Sequence, residues 1–270
     1  MGLGDTGAVK ALVSGFLAAA LGAGGALLPA EAGHAPVAPV APVVRASPVT
    51  LPLAGRVVVI DAGHQLGNHN FPVLTRRLVP AGGFLKPCNT TGTETNGGYA
   101  EATFAMVVAR LVKRRLTDLG AKVIMTRTRN SQDLWGPCVD VRGRAGNAAE
   151  ADLKLSIHAD GAWEGRGFHV IAPTDRARWT HDIYRASRRL AVGVRTALRE
   201  RGLPYANYTA GGDGLDFRGD LATLNLSDVP AVVVELGNMR SRADARLMTS
   251  SDGRQRYAAA LVTAIRRRLG

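Results

Sequence analysis

Cysteine is nearly absent from this chain, which has two cysteines among 270 residues. So low a count excludes a small scaffold held together by many disulfides. Cys88 and Cys138 also lack the close C-x-x-C spacing of metal sites built from thiolates, which disfavours such a site. In an exported chain an even number of cysteines favours a disulfide. Closing this 50-residue loop would stabilise the fold by about 4 kcal/mol.

Acidic residues are scarce as well: 22 Asp and Glu oppose 34 Lys and Arg, which gives a formal net charge of +12. This balance favours anionic partners through long-range attraction. If the chain is exported, those anionic partners are cell-wall polymers and anionic lipids. No nucleic-acid-binding motif accompanies the charge, so we expect no nucleic-acid partner.

The first 32 residues have the layout of a secretory signal peptide. Lys10 precedes an apolar run over 11–28, and Ala30-Glu31-Ala32 offers a small-x-small cleavage site. An uncleaved membrane anchor is the alternative, although the run is weakly apolar and barely long enough to span a bilayer. Cleavage would leave an exported chain of net charge +13 in the periplasm or cell-wall space, without a stable membrane span.

Residues 33–52 repeat Ala, Pro and Val, and proline at this density denies helices and sheets their hydrogen bonds. We expect an extended, semi-rigid tether there. Residues 53–270 have the usual length of one domain, which we expect to be a monomer.

Short apolar runs alternate with helical patterns through residues 53–270. The alternation predicts one α/β domain with a central, largely parallel mixed sheet flanked by helices. Two stretches, 65–98 and 202–220, show no clear period and are expected to be loops. Strands are expected to end at His64, His158 and Glu235 and to cover 121–126, 167–172 and 221–224. Helices are expected from Glu101 to just before Gly120 and over 139–149, 180–201, 241–248 and 254–269.

Three of the predicted strands end on a residue that can bind or serve a metal: His64, His158 and Glu235. Ligand sites gather beyond the carboxyl ends of strands in open α/β sheets. Glu101 opens the best helical pattern in the chain. Two histidines and a carboxylate suit a catalytic zinc, and a spare carboxylate suits its water. The pattern therefore indicates a metal-dependent hydrolase.

Each of these residues is ambiguous on its own. Glu101 gains from the helix dipole wherever it stands in a first turn. Glu235 needs a cation or hydrogen bonds if it is buried, so an ion pair is the alternative to a catalytic role. The candidate partners for such a pair are Arg127, Arg142 and Arg240. Asp61 could accept a hydrogen bond from a metal-bound imidazole. His69 could touch the same cleft, whereas we expect His169 and His181 not to be ligands.

Taken together, the motifs resemble those of the zinc-dependent N-acetylmuramoyl-L-alanine amidases, bacterial hydrolases that cleave peptidoglycan. The resemblance spans roughly 56–269. Its motifs are Val-Ile-Asp-Ala-Gly-His at 59–64, Ala-Glu at 100–101, Gly-Ala-Lys-Val-Ile-Met-Thr-Arg at 120–127, Arg142 with Asn147, Ala-Asp at 151–152, Ser-Ile-His-Ala-Asp at 156–160, and Pro-Ala-Val-Val-Val-Glu-Leu-Gly-Asn at 230–238.

This resemblance implies that one zinc ion is held by His64, Glu101 and His158, and that Glu235 is the catalytic carboxylate. The implied substrate is the amide bond between N-acetylmuramic acid and L-alanine, in peptidoglycan or in muropeptides. Cleaving it would serve cell-wall remodelling, recycling or septum splitting. Asp61, Asn238, Arg142 and His69 are expected around the site, as supporting or substrate-contacting residues.

The chain departs from the family pattern in two places. The sequence after Glu235 lacks the usual aromatic residue, and the insert that holds Cys88 is longer than expected. Two alternatives remain: a zinc peptidase that acts on cell-wall peptides, and a non-catalytic, wall-binding descendant of the fold.

Overall fold

The computed structural model describes residues 50–270. The predicted signal peptide over 1–32 and nearly all of the predicted tether over 33–52 lie outside the described residues, so both stay predictions. Within the described part of the chain, no helix combines the length and the apolarity that crossing a bilayer requires.

Eight strands and seven α-helices make up the described chain. The strands are β1 (Val57–Ala62), β2 (Leu78–Pro80), β3 (Leu85–Pro87), β4 (Lys122–Met125), β5 (Leu153–Asp160), β6 (His169–Pro173), β7 (Leu215–Arg218) and β8 (Ala231–Asn238). The helices are α1 (Pro72–Arg76), α2 (Glu101–Asp118), α3 (Val139–Arg144), α4 (Tyr184–Glu200), α5 (Ala222–Asn225), α6 (Arg242–Thr249) and α7 (Ser251–Leu269).

A six-stranded sheet lies at the centre, in the order β4-β1-β5-β8-β6-β7. Strands β4, β1, β5 and β8 run parallel to one another. Strand β6 is antiparallel to β8, and β7 is parallel to β6. The predicted α/β fold with a largely parallel mixed sheet is therefore confirmed.

Helices α2, α4 and α7 cover one face of this sheet, where they bury the main apolar core. Alternate residues of the central strands, such as Ile60, Ile157 and Val234, point into that core. The other face packs on the short helices α3 and α5 near the amino ends of the strands. Beyond these two helices, the same face opens toward the carboxyl ends of β1, β5 and β8, where the candidate site lies.

The segment over 65–98 is more ordered than its sequence predicts. It contains a 3-10 turn over Leu66–Asn70, helix α1, and the hairpin of β2 and β3. Strands of three residues are too short to show a period, which is why a loop was expected. The strand expected over 221–224 is also wrong: helix α5 forms there, and the strand of that region is β7, inside the stretch expected to be a loop.

The disulfide favoured by the cysteine count is present, joining Cys88 to Cys138 with a Cα–Cα distance of 4.3 Å. It ties the end of the hairpin to the residue before α3. The backbone N–H of Val139 also donates to the Cys88 carbonyl at 2.7 Å. The bond therefore fixes the hairpin against the helix that carries Arg142.

Candidate active site

The turn after β1 places His64 at the carboxyl edge of the sheet. His64 has a φ of 54°, in the left-handed region that non-glycine residues rarely adopt. Two buried arginines hold this turn by its carbonyl groups. Arg127 donates to the carbonyls of Ala62 and Gly63, both at 2.9 Å, and Arg142 donates to those of Ala62 and His64 at 2.7 and 2.6 Å. These contacts keep the unfavourable backbone conformation in place.

Asp61 supports the site differently from what we expected. Its carboxylate, which is fully buried, accepts hydrogen bonds from Arg142, Thr126 and Ser156 and none from a histidine ring. Burial alone would raise the pKa of Asp61, but the positive charge of Arg142 and the two hydroxyl donors hold it well below its usual range. Asp61 therefore neutralises Arg142 rather than orienting a metal-bound imidazole.

Glu101 contacts both histidines of the site through its carboxylate. Its Oε1 lies 3.1 Å from Nε2 of His64 and 2.9 Å from Nδ1 of His158, and it accepts the backbone N–H of Ala159 at 3.2 Å. Its Oε2 accepts the backbone N–H of Thr93 at 3.0 Å. Burial opposes the charge of Glu101, but His64 and these hydrogen bonds hold its pKa well below the usual range. Glu101 is therefore ionised near neutral pH.

The two histidine rings meet edge to face, with centroids 4.8 Å apart and an interplanar angle of 82°. The His64 ring is fixed from behind, because its Nδ1 lies 3.1 Å from the carbonyl oxygen of Thr90. A partner of this kind sets the tautomer that leaves Nε2 free to bind a metal. Gly63 allows the rings to approach, because a Cβ at that position would overlap the His158 ring.

His64, Glu101 and His158 can hold a metal ion, since one ligand atom from each lies within 4.8 Å of the others. Two imidazole nitrogens and one carboxylate oxygen are a donor set that zinc accepts in catalytic sites. The residues present therefore fit the group that the sequence motifs imply. The other histidines of residues 50–270, which are His69, His169 and His181, lie outside this cluster.

Glu235 lies next to His158 on the neighbouring strand, with the two Cα atoms in register. Its Oε2 is buried and has no hydrogen-bond partner in the protein. Burial, followed by the charges of Glu101 and Asp160, raises the pKa of Glu235 well above its usual range. Glu235 makes no ion pair among the described residues.

The three arginines weighed as ion-pair partners of Glu235 are engaged elsewhere. Arg127 binds backbone carbonyls, Arg142 binds Asp61, and Arg240 donates to Asn96 at 3.3 Å. A buried salt bridge is therefore wrong as an explanation of Glu235, and a buried carboxylate with a raised pKa is typical of a functional group.

A cavity of about 260 Å³ opens beside Glu235 and the two histidines. Its wall is partly apolar, through Ile171, Val233 and Leu221, and partly cationic, through Lys86, Arg142 and Arg218. A second depression of about 530 Å³ lies beyond Thr93 and is lined by His69 and Arg240. His69 thus lies in the depression next to the site, outside the three converging ligands.

Asn238 is fully buried, so it cannot contact a substrate in this conformation. Its side-chain amide donates to the carbonyls of Ala162 and Gly165 at 2.9 and 3.0 Å, which holds the loop after β5. Sequence reasoning missed the role of Arg127 and of the backbone donors at Thr93 and Ala159. The arginine was visible at the end of a predicted strand, but its partners depend on tertiary structure.

The family model Amidase_3, described as N-acetylmuramoyl-L-alanine amidase, matches residues 58–267. An N-acetylmuramoyl-L-alanine amidase of Mycobacterium tuberculosis is 41% identical over 234 residues, covering 85% of this chain and 93% of that protein.

Two solved structures are similar in sequence and in fold. The apo form of the N-acetylmuramyl-L-alanine amidase Ami1 from Mycobacterium abscessus has a TM-score of 0.74 and 40% identity, covering 80% of this chain and 100% of that one. Ami1 from Mycobacterium smegmatis has a TM-score of 0.74 and 38% identity, covering 81% and 98%. The chain therefore belongs to the N-acetylmuramoyl-L-alanine amidase family, and it is a hydrolase of that class.

Proposed function

We propose that this amidase depends on zinc and cleaves the amide bond between N-acetylmuramic acid and the L-alanine of the stem peptide. The observation that carries the proposal is the convergence of His64, Glu101 and His158 beside the unpaired carboxylate of Glu235. Nε2 of His64, Oε1 of Glu101 and Nδ1 of His158 would hold the ion. Zinc, when bound, supplies Lewis acidity that polarises the amide carbonyl and lowers the pKa of water.

Glu235 moves the proton in this proposal. Because Oε2 is the buried oxygen and the side chain lines the cavity, Oε1 is the atom available to the reacting groups. Oε1 takes a proton from the attacking water and then delivers it to the departing nitrogen of L-alanine as the C–N bond breaks. Burial makes the carboxylate a stronger base, which favours the first transfer.

The cavity beside Glu235 supports a peptide substrate with negative charges. Its apolar wall accommodates a small aliphatic side chain, and Lys86 and Arg218 stand at its rim. Both cations contact Asp220, which holds them in place and offsets one of their two charges, so a net positive charge remains at the cavity. Such a surface suits the carboxylates of a stem peptide, in polymeric peptidoglycan or in released muropeptides. Export to the cell-wall space is part of the proposal.

The test is release of an L-alanine-initiated peptide from muramyl dipeptide by zinc-loaded protein, compared with Glu235→Gln at equal zinc content. The proposal expects cleavage by the native chain and a loss of about 100-fold or more in kcat for the variant. A cell-wall peptide that lacks muramic acid is the control substrate. Cleavage of that peptide alone would identify a peptidase instead, and zinc binding without cleavage of dipeptide or intact peptidoglycan would favour a wall-binding protein.

A further inference from the structure

A row of three side chains crosses the open face of the sheet at the candidate site. The Cα atom of Glu235 on β8 pairs with that of His158 on β5 and, on its other side, with that of His169 on β6. Residues paired across neighbouring strands point to the same face of a sheet. Glu235 is therefore flanked by a candidate metal ligand on one side and by a second histidine on the other.

His169 is buried behind Glu235 rather than exposed in the cleft. Only 4% of its surface is accessible, and it does not line the cavity that His64, His158 and Glu235 share. The Tyr208 ring stands edge-on to the His169 ring, with centroids 6.2 Å apart and an interplanar angle of 86°. Glu235, His169 and Tyr208 thus form one cluster, which lies on the side of Glu235 away from His158.

Each member of this cluster has a buried polar atom without a hydrogen-bond partner. Oε2 of Glu235, Nδ1 of His169 and the hydroxyl of Tyr208 are three of the six such side-chain atoms in residues 50–270. Buried polar atoms are nearly always hydrogen-bonded, since an unmade bond is costly. Buried waters typically make about three hydrogen bonds to groups of this kind. The three atoms lie on neighbouring side chains, so one buried water is a partner that all three side chains can share.

The protonation states in the cluster are compatible with such a link. Burial lowers the pKa of His169, against the opposing effects of Asp160 and Asp216, so the ring is neutral near pH 7. A neutral imidazole donates one hydrogen bond and accepts another. Burial, the negative charges of Asp160 and Glu235, and the proximity of the Tyr208 hydroxyl to the Asp160 carboxylate also raise the pKa of Tyr208, which keeps its hydroxyl protonated. Both side chains can therefore donate toward a carboxylate oxygen.

We propose that His169 is a positioning residue of the amidase reaction, which holds Oε2 of Glu235 through one buried water shared with the Tyr208 hydroxyl. Fixing Oε2 directs Oε1 toward the attacking water and the departing nitrogen. The inference rests on the proposed role of Glu235 as the proton carrier. It assigns His169 a part in the rate of the reaction and none in binding the metal.

The experiment compares four variants of the zinc-loaded enzyme on muramyl dipeptide. His169→Leu removes both ring nitrogens, and His169→Asn keeps an amide donor near the place of Nδ1. Tyr208→Phe removes the hydroxyl alone, and His181→Leu changes an exposed histidine that pairs with Asp175 and serves as the control. For each variant, kcat, KM, zinc content and the midpoint of thermal unfolding are measured.

The proposal expects His169→Leu to lose about 10-fold to 100-fold in kcat, with KM within about twofold of the native value. His169→Asn should recover most of that loss, and Tyr208→Phe should lose a smaller part of kcat. His181→Leu should match the native enzyme, and zinc content should stay native in all four. If His169→Leu fails to fold, His169→Asn and Tyr208→Phe carry the test.

Three results would overturn the proposal. Native kcat in His169→Leu would show that Glu235 needs no support from this ring. Equal losses in His169→Leu and His169→Asn, together with lower zinc content or a lower unfolding midpoint, would show a structural role only. Native kcat in Tyr208→Phe would exclude the shared water. The Glu235→Gln variant separates the two proposals: if it stays active, the proposed function has failed, whatever the variants of His169 do.

Discussion

Breaking the buried ion pair between Asp61 and Arg142, which lies beneath the candidate site, should lower the free energy of unfolding. Arg142 is 2% exposed and Asp61 fully buried, and Arg142 also donates to the carbonyls of Ala62, His64 and Pro137. Arg142→Met keeps most of the side-chain volume and removes the charge and all of these donors. The variant leaves a buried carboxylate without its counter-charge, and it frees the turn that carries His64.

The expected loss follows from the burial of the pair. Removing one partner of a buried ion pair costs about 3 to 5 kcal/mol, because the other charge stays buried and uncompensated. Asp61→Asn leaves the buried charge of Arg142 without its counter-ion, so it should cost about 3 kcal/mol, at the lower end of this range, since its amide can still bond Thr126 and Ser156. The double variant should lose less than the two single losses added together, with a coupling of up to about 3 kcal/mol.

The stability that ionised Asp61 contributes to the native protein should fall as the pH falls. The pKa of Asp61 lies well below its usual range in the folded protein. Its ionised form therefore stabilises the fold above the unfolded pKa of about 3.9, and this contribution is lost as the pH falls. Without Arg142, the buried carboxyl group should hold its proton to higher pH. The stability gap between the native chain and Arg142→Met should consequently narrow from pH 7 toward pH 3.

Urea denaturation with a chelator present gives the free energy of unfolding without the contribution of bound metal. The native chain, the two single variants and the double variant complete the cycle. A loss below about 1 kcal/mol for Arg142→Met, or additive losses in the double variant, would refute the reasoning.

Three further predictions concern the scaffold around the site. Replacing Cys88 and Cys138 by alanine should lower the free energy of unfolding by about 4 kcal/mol in urea, and an unchanged midpoint would contradict the loop-closure argument. Lys154, whose pKa burial lowers to about 7, binds its proton more weakly in the folded than in the unfolded chain. The native chain should therefore gain about 1.4 kcal/mol per pH unit over Lys154→Met between about pH 7 and 10, and a flat difference would show that the lysine titrates normally. Gly63→Ala should weaken zinc binding about 10-fold or more in a competition titration, because its Cβ would displace the His158 ring; native affinity would show that the ring can shift freely.

The strands that carry the site were predictable because they are buried on both faces. Such strands have nearly continuous apolar sequences. His64 follows β1 by two residues, and His158 and Glu235 lie in the carboxyl-terminal halves of β5 and β8, so all three reach the same edge of the sheet. Helices α2, α4 and α7 were predictable as well, because their apolar residues recur at helical spacing. The positions of His64, Glu101, His158 and Glu235 follow from these elements, and the structure brings all four together.

The hydrogen-bond partners of the supporting residues could not be predicted, because those partners are far away in the sequence. Arg142 lies 81 residues from Asp61, and no local pattern joins them. The place of His169 depends on the antiparallel pairing of β6 with β8, in a register that periodicity does not give. The hairpin of β2 and β3 escaped notice because each strand has only three residues. The pairing and register of the strands, and the distant hydrogen-bond partners, therefore could not be predicted, because they are defined only in the tertiary structure.

The central claim is that His64, Glu101 and His158 hold zinc, and anomalous scattering at the zinc absorption edge tests it directly. Crystals grown with zinc should give one strong anomalous peak about 2.0 to 2.2 Å from Nε2 of His64, Oε1 of Glu101 and Nδ1 of His158. A peak at another group of residues, or none at these three atoms at saturating zinc, would contradict the account.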